Sequence, residues 1–378
     1  MLKSHTFSKL TVVASLAVWL IACEPDMPQE RFGLDHVIAL DIASEDLAVM
    51  RHGTYSKSKV PVALQIDGEY REGIIAVAGA SSVDDYKKSY EIELDEPYMG
   101  KSVFRLNAMS RDPSAMHALT AYYTFNLAGV STPFLEPIAV WINNEYAGLY
   151  LYQEKYDDSY FASINEKPAS LYQAENSVAA MDTGSNFDVA FSVKIGNHEM
   201  VDLKHMLNAV LTYADNGDIE MLQQYVDIPS LLNYMAITSY IHHSDGLDNN
   251  YFLMRPDNES QFTILPWDLD HSFVAIHGID DTSLLNRNLL MRSLLEKNPE
   301  TAGQYQQHYK AVALRANAKT LGAYVDSLVN LISDAYNADP ALGHQAKTLD
   351  EYAADLKDHF QEMELTAFGD PPDVIEVE

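Results

Sequence analysis

The sequence predicts an α+β fold in which a small, sheet-rich lobe is followed by a mainly helical lobe. Apolar and alternating runs separated by turn residues dominate the first part of the chain, at about residues 36–155. Segments with helical periodicity dominate about residues 156–365, and two short strands interrupt them. Because strands and helices do not alternate regularly, a parallel α/β sheet is not expected.

Two hairpins are predicted in the first lobe. VPVALQID (60–67) and GIIAVAG (73–79) flank the turn D-G-E-Y-R. PIAVWIN and YAGLYLY flank the second turn, at residues 143–145. Further strands are expected at 89–94, where polar and apolar residues alternate, and at 103–108.

One helix is predicted inside the sheet-rich lobe. Asp112 is its expected cap, Pro113 its first residue, and Gly129 marks its end.

The second lobe is predicted to be helical, with one embedded hairpin. VDLKHMLNAVLTYA, DIPSLLNYMAITSYIHH and several segments from Leu284 to about Phe368 have helical periodicity. The hairpin strands are 250–255 and 261–267, around P-D-N-E-S. If that turn occupies 256–260, Arg255 pairs with Gln261, and Asn250 lies opposite Pro266. This order of elements is that of a protein-kinase-like fold.

The N-terminus has the features of a secretory signal. Lys3 and Lys9 precede the apolar run LTVVASLAVWLIA, which is shorter than a typical membrane span. The ending L-I-A-C resembles the lipobox of bacterial lipoproteins, and this resemblance implies that residues 1–22 are a signal peptide and that Cys23 is lipidated. We expect an exported protein in the bacterial cell envelope, held at the membrane by its lipid anchor alone.

Composition limits the partners. The 378-residue chain is 47% hydrophobic, which is ample for a core, and its only cysteine is Cys23. Its net charge of −30 repels nucleic acids and anionic membranes, so no nucleic-acid partner is expected. Residues 23–35 are predicted to be the lipidated cysteine and a polar tether, and residues 366–378 an acidic tail.

The stretch HHSDGLDNNYF, residues 242–252, carries the most specific chemistry. Its H-x-D-x4-N spacing is that of kinase catalytic loops, in which the Asp accepts the hydroxyl proton and the Asn binds a metal. Asp245 and Asn250 occupy these places, and the predicted hairpin brings Asp268 beside them, with Asp270 on the same side. Oxygen ligands of this type suit Mg²⁺. The alternative is that these acids belong to solvated loops.

A cation for nucleotide phosphates is also expected. Lys88 has the strand parity of Tyr90 and Ile92 and so points to the apolar face, while Lys87 falls on the polar face. The alternative for Lys88 is a packed stem with its head in solvent. Upstream, G-A-S-S (79–82) can offer backbone N–H groups to phosphate.

These residues resemble the spore coat protein H (CotH) kinase-like family across about residues 36–365. The resemblance is carried by five segments: G-x-S-S at 79–82, KKSY at 87–90, FRLNAMSRDPSAMHALTAYY at 104–123, WINNEYAGLYLYQEKYD at 141–157, and D-x4-N-Y at 245–251 followed by I-L-P-W-D-L-D at 264–270. It implies an atypical protein-kinase-like fold and transfer of phosphate from ATP, with Mg²⁺ or Mn²⁺, to Ser or Thr of a protein substrate.

The resemblance also implies roles for individual residues. By motif, the catalytic base is Asp245, the metal ligands are Asn250 and Asp268 with Asp270 assisting, and the nucleotide-binding residues are Lys88, Gly79, Ser81, Ser82 and Glu154. For Glu154 two roles stay open, a hinge contact and a partner for Lys88. His243 is interpreted as an orienter of the loop, and His242, Asp248 and Asn249 as bystanders. We expect a monomer.

Two alternatives to the kinase hypothesis stay open, and the first arises because the chain departs from the family pattern. Ala78 and His117 stand where family members often have Arg, and Asn143-Asn144-Glu145 replaces the usual N-G turn. A catalytically degenerate lipoprotein that serves surface attachment or envelope assembly is therefore a second hypothesis. The third interprets D-L-D-H-S as a haloacid-dehalogenase-type phosphatase motif with Asp268 as nucleophile, which requires parallel βαβ units after it.

Overall fold

A computed structural model describes residues 30–51, 58–79, 85–182, 187–257, 260–274 and 285–368. Most strands precede most helices, which confirms the predicted α+β class. The strands are β1 (Val37–Asp41), β2 (Val60–Ile66), β3 (Glu69–Ala78), β4 (Ser89–Tyr98), β5 (Lys101–Asn107), β6 (Leu135–Ile142), β7 (Glu145–Glu154), β8 (Ser170–Ala174), β9 (Phe191–Ile195), β10 (Tyr251–Arg255) and β11 (Thr263–Pro266).

Strands β1 to β7 close into a barrel in the order β1-β2-β3-β4-β5-β7-β6. Both predicted hairpins are confirmed, since β2 pairs with β3 across Asp67 and Gly68, and β6 pairs with β7 across Asn143 and Asn144. These four turn residues have positive φ, which Gly, Asn and Asp tolerate best. The sequence patterns do not predict β1, which closes the barrel by pairing parallel with β6.

Alternate side chains of the barrel strands fill its interior. The fully buried residues Ile38, Leu64, Ile75, Ile92 and Leu106 come from five different strands. The intervening residues of β4 and β5 therefore face outward, and some of them form a wall of the candidate site.

The helical lobe contains a second antiparallel sheet, in the order β11-β10-β8-β9. Of its strands, β8 and β9 are not predicted by the sequence patterns. The helices are α1 (Ser44–Arg51), α2 (His117–Leu127), α3 (Asp158–Ser163), α4 (Phe187–Ala190), α5 (Val201–Asn216), α6 (Ile219–Leu222), α7 (Ile228–Tyr240), α8 (Leu289–Lys297), α9 (Pro299–Arg315), α10 (Ala318–Ala338) and α11 (Leu349–Phe368). Within the described ranges, none of these helices is both long and apolar enough to cross a bilayer.

Helix α2 begins at His117, and the prediction that it begins at Pro113 is wrong. The Asp112 carboxylate accepts hydrogen bonds from the N–H groups of Ser114, at 3.0 Å, and His117, at 2.8 Å. Asp112 therefore organises a turn ahead of the helix. Gly129, with positive φ, follows the helix end as expected.

Lys87 is buried, so the prediction that it lies on a polar strand face is wrong. Residues 85–87 form a bend and β4 begins at Ser89, so strand alternation does not extend back to the lysines. The Lys87 Nζ donates a hydrogen bond to Asp339 Oδ2 at 2.8 Å and another to the Leu149 carbonyl oxygen. Burial lowers the pKa of Lys87, and the Asp339 carboxylate opposes that effect.

Asp339, at the end of α10, joins the helical lobe to the barrel. Its Oδ2 also accepts a hydrogen bond from Leu149 N–H at 2.7 Å, and its Oδ1 accepts from the N–H groups of Ala341 and Leu342, at 2.7 and 2.8 Å. Gly148, at φ +125°, permits this approach, because a Cβ there would lie 2.1 Å from Asp339 Oδ2. Each carboxylate oxygen is thus held by at least two donors.

Replacing Asp339 should strongly destabilise the protein. Asp339→Ala leaves the buried Lys87 without its counter-charge, so we expect the free energy of unfolding to fall by about 3–5 kcal/mol, measured by urea denaturation. The control is Asp326→Ala, which removes an exposed pair with Lys357 at 2.7 Å and should cost about 0–1 kcal/mol. Similar losses in the two variants would contradict the account.

Candidate active site

The β10–β11 hairpin brings the predicted acidic and amide residues together, but with a register one residue away from the prediction. Tyr251 pairs with Pro266 and Met254 with Thr263, which places Asn250 opposite Trp267 rather than Pro266. The last pair of the hairpin is Met254 with Thr263, and Phe262 bridges Val226 ahead of α7, so the connection between the strands is longer than the predicted turn at 256–260.

Asn250 and Asp268 lie side by side at the ends of these strands. The Asn250 Nδ2 donates a hydrogen bond to the Asp268 carbonyl oxygen at 3.4 Å. Both residues have left-handed backbone conformations, with φ of +51° and +55°. Asn and Asp tolerate this conformation better than other non-glycine residues do, so both strands can end at these positions.

Asp245 lies in a short 3-10 helix, residues 244–247, that follows α7. The neighbouring His243 side chain is fully buried and packs so closely on Gly246 that a Cβ there would lie 2.5 Å from the His243 ring. The Tyr234 hydroxyl also donates to the Gly246 carbonyl oxygen, at 2.7 Å. These contacts hold the loop that presents Asp245, whose Oδ2 lies 3.9 Å from His271 Nδ1.

Asp270 lies in a second short 3-10 helix, residues 269–271, directly after Asp268. Burial raises the pKa of Asp270 well above its ordinary value, and the nearby carboxylates of Asp268 and Asp112 raise it further. Arg105 opposes this shift. The site is therefore a place where negative charge is concentrated and only partly compensated.

One cavity of about 170 Å³ collects these side chains. Asp245, Asn250, Asp268 and Asp270 all contribute to its wall. Small-molecule sites more often measure about 300–1,000 Å³, so this volume suits a metal ion and phosphate groups rather than a whole nucleotide. The barrel supplies the opposite wall through Gly79, Ser89, Arg105 and Asn107.

Arg105 is a site residue that the sequence analysis misses, and Asn249, which it interprets as a bystander, also lines the cavity. The Arg105 Nη1 lies 3.6 Å from Asp268 Oδ1, and Asn249 lines the cavity with an amide oxygen that has no hydrogen-bond partner. The sequence contains a pattern that could have identified Arg105, since in F-R-L-N it alternates with the apolar Phe104 and Leu106. For Asn249 the sequence holds no signal beyond its place next to Asn250.

Lys88 and Glu154 are not among the residues that line the cavity. Lys88 is half-buried ahead of β4. Glu154 ends β7, where its carboxylate lies 3.1 Å from Lys101 Nζ, and it borders a separate cleft of about 410 Å³.

Three predicted residues lie outside the described ranges: Ser81, Ser82 and the lipidation site Cys23.

The donor set fits a metal that is held jointly with a nucleotide. No three His, Cys, Asp or Glu side chains of the described residues are arranged to bind a metal by themselves. Mg²⁺ is commonly bound by one or two carboxylates together with substrate phosphates, and Asp268 with the Asn250 amide supplies such a partial set. The unpartnered oxygen of Asn249 offers one more ligand.

The phosphatase hypothesis gains no support from the segments after Asp268. The described residues there form the 3-10 turn at 269–271 and the helices α8 to α11, with no strand. The parallel βαβ units that this hypothesis requires do not occur in those ranges.

A larger cleft, of about 720 Å³, lies elsewhere, between α3, α7, α9 and the β10–β11 hairpin. It is lined largely by apolar side chains such as Phe161, Ile164 and Leu265, and Glu166 is its one acidic residue. The smaller cavity is the better candidate because it holds convergent carboxylates and a buried cation.

Buried His243 should make the stability depend on pH. Burial lowers its pKa from about 6.5 to about 4, so between these values the unfolded chain binds a proton that the folded protein does not. The free energy of unfolding should therefore fall as pH decreases through this range, with about 2 kcal/mol lost from this residue between pH 7 and pH 5. Urea denaturation at both pH values should show a smaller loss for His243→Gln.

The exposed His344 provides the control for this measurement. His344→Gln should keep the wild-type dependence on pH. A dependence that is the same in His243→Gln and in the wild type would contradict the assignment of a buried, neutral imidazole.

The chain is similar in sequence to a known spore coat protein. Inner spore coat protein H of Bacillus subtilis (strain 168) is 24% identical over 290 residues, which cover 72% of this chain and 78% of that protein.

Two solved structures are distantly similar. The proinflammatory kinase CtkA of Helicobacter pylori is 12% identical, with 73% of this chain and 92% of that chain covered and a TM-score of 0.38. A chain of the HipA, HipB and operator DNA complex of Shewanella oneidensis MR-1 is 8% identical, with 70% of this chain and 57% of that chain covered and a TM-score of 0.37. These scores are too low to support an argument about function.

The family assignment rests on the match to a family model. The model of the CotH kinase protein family matches residues 75–363, which include the barrel wall, the Asp245 loop and the β10–β11 hairpin. The chain belongs to the CotH kinase family.

Proposed function

We propose that this protein transfers the γ-phosphoryl group of ATP to Ser or Thr hydroxyls of a protein substrate, with Mg²⁺ or Mn²⁺. The observation that carries the proposal is the meeting of Asp245, Asn250 and Asp268 in one cavity with the buried cation Arg105. Carboxylates alone would repel nucleotide phosphates, whereas a metal ion and a cation together accommodate them. Membership of the CotH kinase family supports the same reaction class.

The proposed roles follow from position. Asp268 and Asn250 offer a carboxylate and an amide oxygen from adjacent strand ends, and Asp270 adds a second carboxyl group. When bound, the metal–nucleotide complex supplies the phosphoryl group to be transferred. Asp245, with 35% of its side chain exposed, is open to an incoming hydroxyl and would accept its proton.

The nucleotide-binding roles of the remaining residues stay proposals. Gly79 borders the cavity and can offer its N–H to phosphate, and we assign the same task to Ser81 and Ser82. Lys88 and Glu154 would act only on a part of the nucleotide that extends beyond the cavity. For Glu154 we propose the hinge contact, because its carboxylate lies beside Lys101.

We further propose that the protein is a monomeric envelope lipoprotein anchored through Cys23. Its net charge of −30 makes nucleic acid an unfavourable partner and favours substrates that are neutral or basic near the acceptor hydroxyl.

Single substitutions should separate binding from transfer. In the soluble part, residues 24–378, Asp268→Asn should abolish metal-dependent ATP binding measured by calorimetry with Mn²⁺, because a metal ligand is lost. Asp245→Asn should keep that binding but slow the transfer of label from γ-labelled ATP to protein by about 10²–10⁴-fold.

Asp326→Asn, on an exposed helix face, is the control and should match the wild type. Equal labelling by wild type and Asp245→Asn would rule out Asp245 as the base. A wild type whose melting temperature does not respond to ATP with Mn²⁺ or Mg²⁺ would instead favour the degenerate binding protein that Ala78 and His117 suggest.

A further inference from the structure

We infer that Arg105 is the principal phosphate-binding cation of this site and that it alternates between two partners. In the absence of ligands it neutralises Asp268, and when metal and nucleotide bind it turns to phosphate oxygens while Asp268 serves the metal. This inference rests on the proposed function and adds to it a role for a residue to which the family resemblance assigns none.

The barrel fixes the direction of the Arg105 side chain. Phe104 and Leu106, its neighbours on β5, are buried in the barrel interior. Arg105 and Asn107 therefore point away from the interior, and both line the cavity. Only 9% of the Arg105 surface is exposed, so the guanidinium is almost entirely enclosed in the wall of the site.

The hydrogen bonding of this enclosed guanidinium is incomplete. Its Nη1 is 3.6 Å from Asp268 Oδ1, longer than a normal hydrogen bond, and its Nε has no partner. Glu91 is the residue directly opposite on β4, but its carboxylate binds Lys155 Nζ at 2.7 Å. A buried cation with unused donors is costly unless a ligand supplies acceptors. Phosphate oxygens match the planar donor fork of Arg.

The position of β5 in the chain supports the same role. It is the strand that leads into the inserted helix α2, and in protein kinases the strand before such a helix carries the phosphate-binding Lys. That Lys pairs with a Glu of the helix, but α2 contains no acidic residue. In this protein Asp268 takes the place of that Glu as the acid nearest to Arg105.

The neighbouring cations are less suited to this task. Lys87 is buried against Asp339 and is not among the residues that line the cavity. Arg111 lines the cavity, but its Nε is 3.4 Å from Asp85 and its side chain is 40% exposed. Among the described residues that line the cavity, Arg105 is the cation enclosed in its wall.

Because Arg105 has two alternative partners, removing its charge should change the affinity for Mn²⁺ alone and the affinity for Mn²⁺–ATP in opposite directions. Arg105→Met removes the charge but keeps an unbranched side chain. Without the competing cation, Asp268 should bind Mn²⁺ alone about three- to tenfold more tightly. Mn²⁺–ATP should bind about ten- to a hundredfold more weakly, because charge-assisted hydrogen bonds to phosphate are lost. A purely structural residue would weaken both.

The test is titration calorimetry of wild type and Arg105→Met with Mn²⁺ alone and with Mn²⁺–ATP. Arg105→Lys keeps the charge without the fork, so it should bind Mn²⁺ like the wild type and Mn²⁺–ATP about three- to tenfold more weakly. The control is Arg71→Ala, because Arg71 lies on another barrel strand and pairs with Glu69 at 2.8 Å; it should change neither affinity.

Each outcome decides the inference. Opposite shifts in Arg105→Met support it. If Arg105→Met binds both ligands more weakly by the same factor, or binds Mn²⁺–ATP as the wild type does, the inference is wrong. The proposed function still stands in that case, provided that the wild type binds ATP. A wild type that binds Mn²⁺ but not ATP overturns the proposed function, and the phosphate role of Arg105 with it.

Discussion

The buried contact between Lys87 and Asp339 holds the barrel against the helical lobe, and the candidate site depends on that arrangement. The barrel contributes Ser89 and Arg105, while Asp245 and the β10–β11 hairpin belong to the helical lobe. Neither lobe alone contains all of the site residues. Because Lys87 lies two residues before Ser89, the contact that joins the lobes also fixes where β4 enters the cavity wall.

Within that frame, the chemistry follows from an imbalance of charge. Asp245, Asp268 and Asp270 surround a small cavity in which Arg105 is the enclosed cation. Burial and neighbouring carboxylates raise the pKa of Asp270, which shows how unfavourable three negative charges are at this place. On the proposed function, a divalent cation would relieve this repulsion and leave Arg105 available for an anionic ligand. We propose that the acidic site becomes suited to phosphate only as metal and nucleotide bind together.

The sequence predicts those features whose determinants are local. The turns at Asp67-Gly68 and Asn143-Asn144, and the pairing of β10 with β11, follow from residues close together in the chain. The exact register does not, because the connection between the strands extends to Phe262, which bridges Val226 outside the hairpin. The burial of Lys87 depends on Asp339, 252 residues away.

Arg105 illustrates the same limit within the site. Its alternation with Phe104 and Leu106 is visible in the sequence, but only the closed barrel shows which face meets Asp268. The most direct test of the account is a crystal structure with Mn²⁺ and a non-hydrolysable ATP analogue, with the metal located by anomalous scattering. The account predicts a peak within coordination distance of the Asp268 carboxylate and the Asn250 amide oxygen, with Arg105 on the phosphates. A metal bound elsewhere, or a nucleotide in the 720 Å³ cleft, would contradict it.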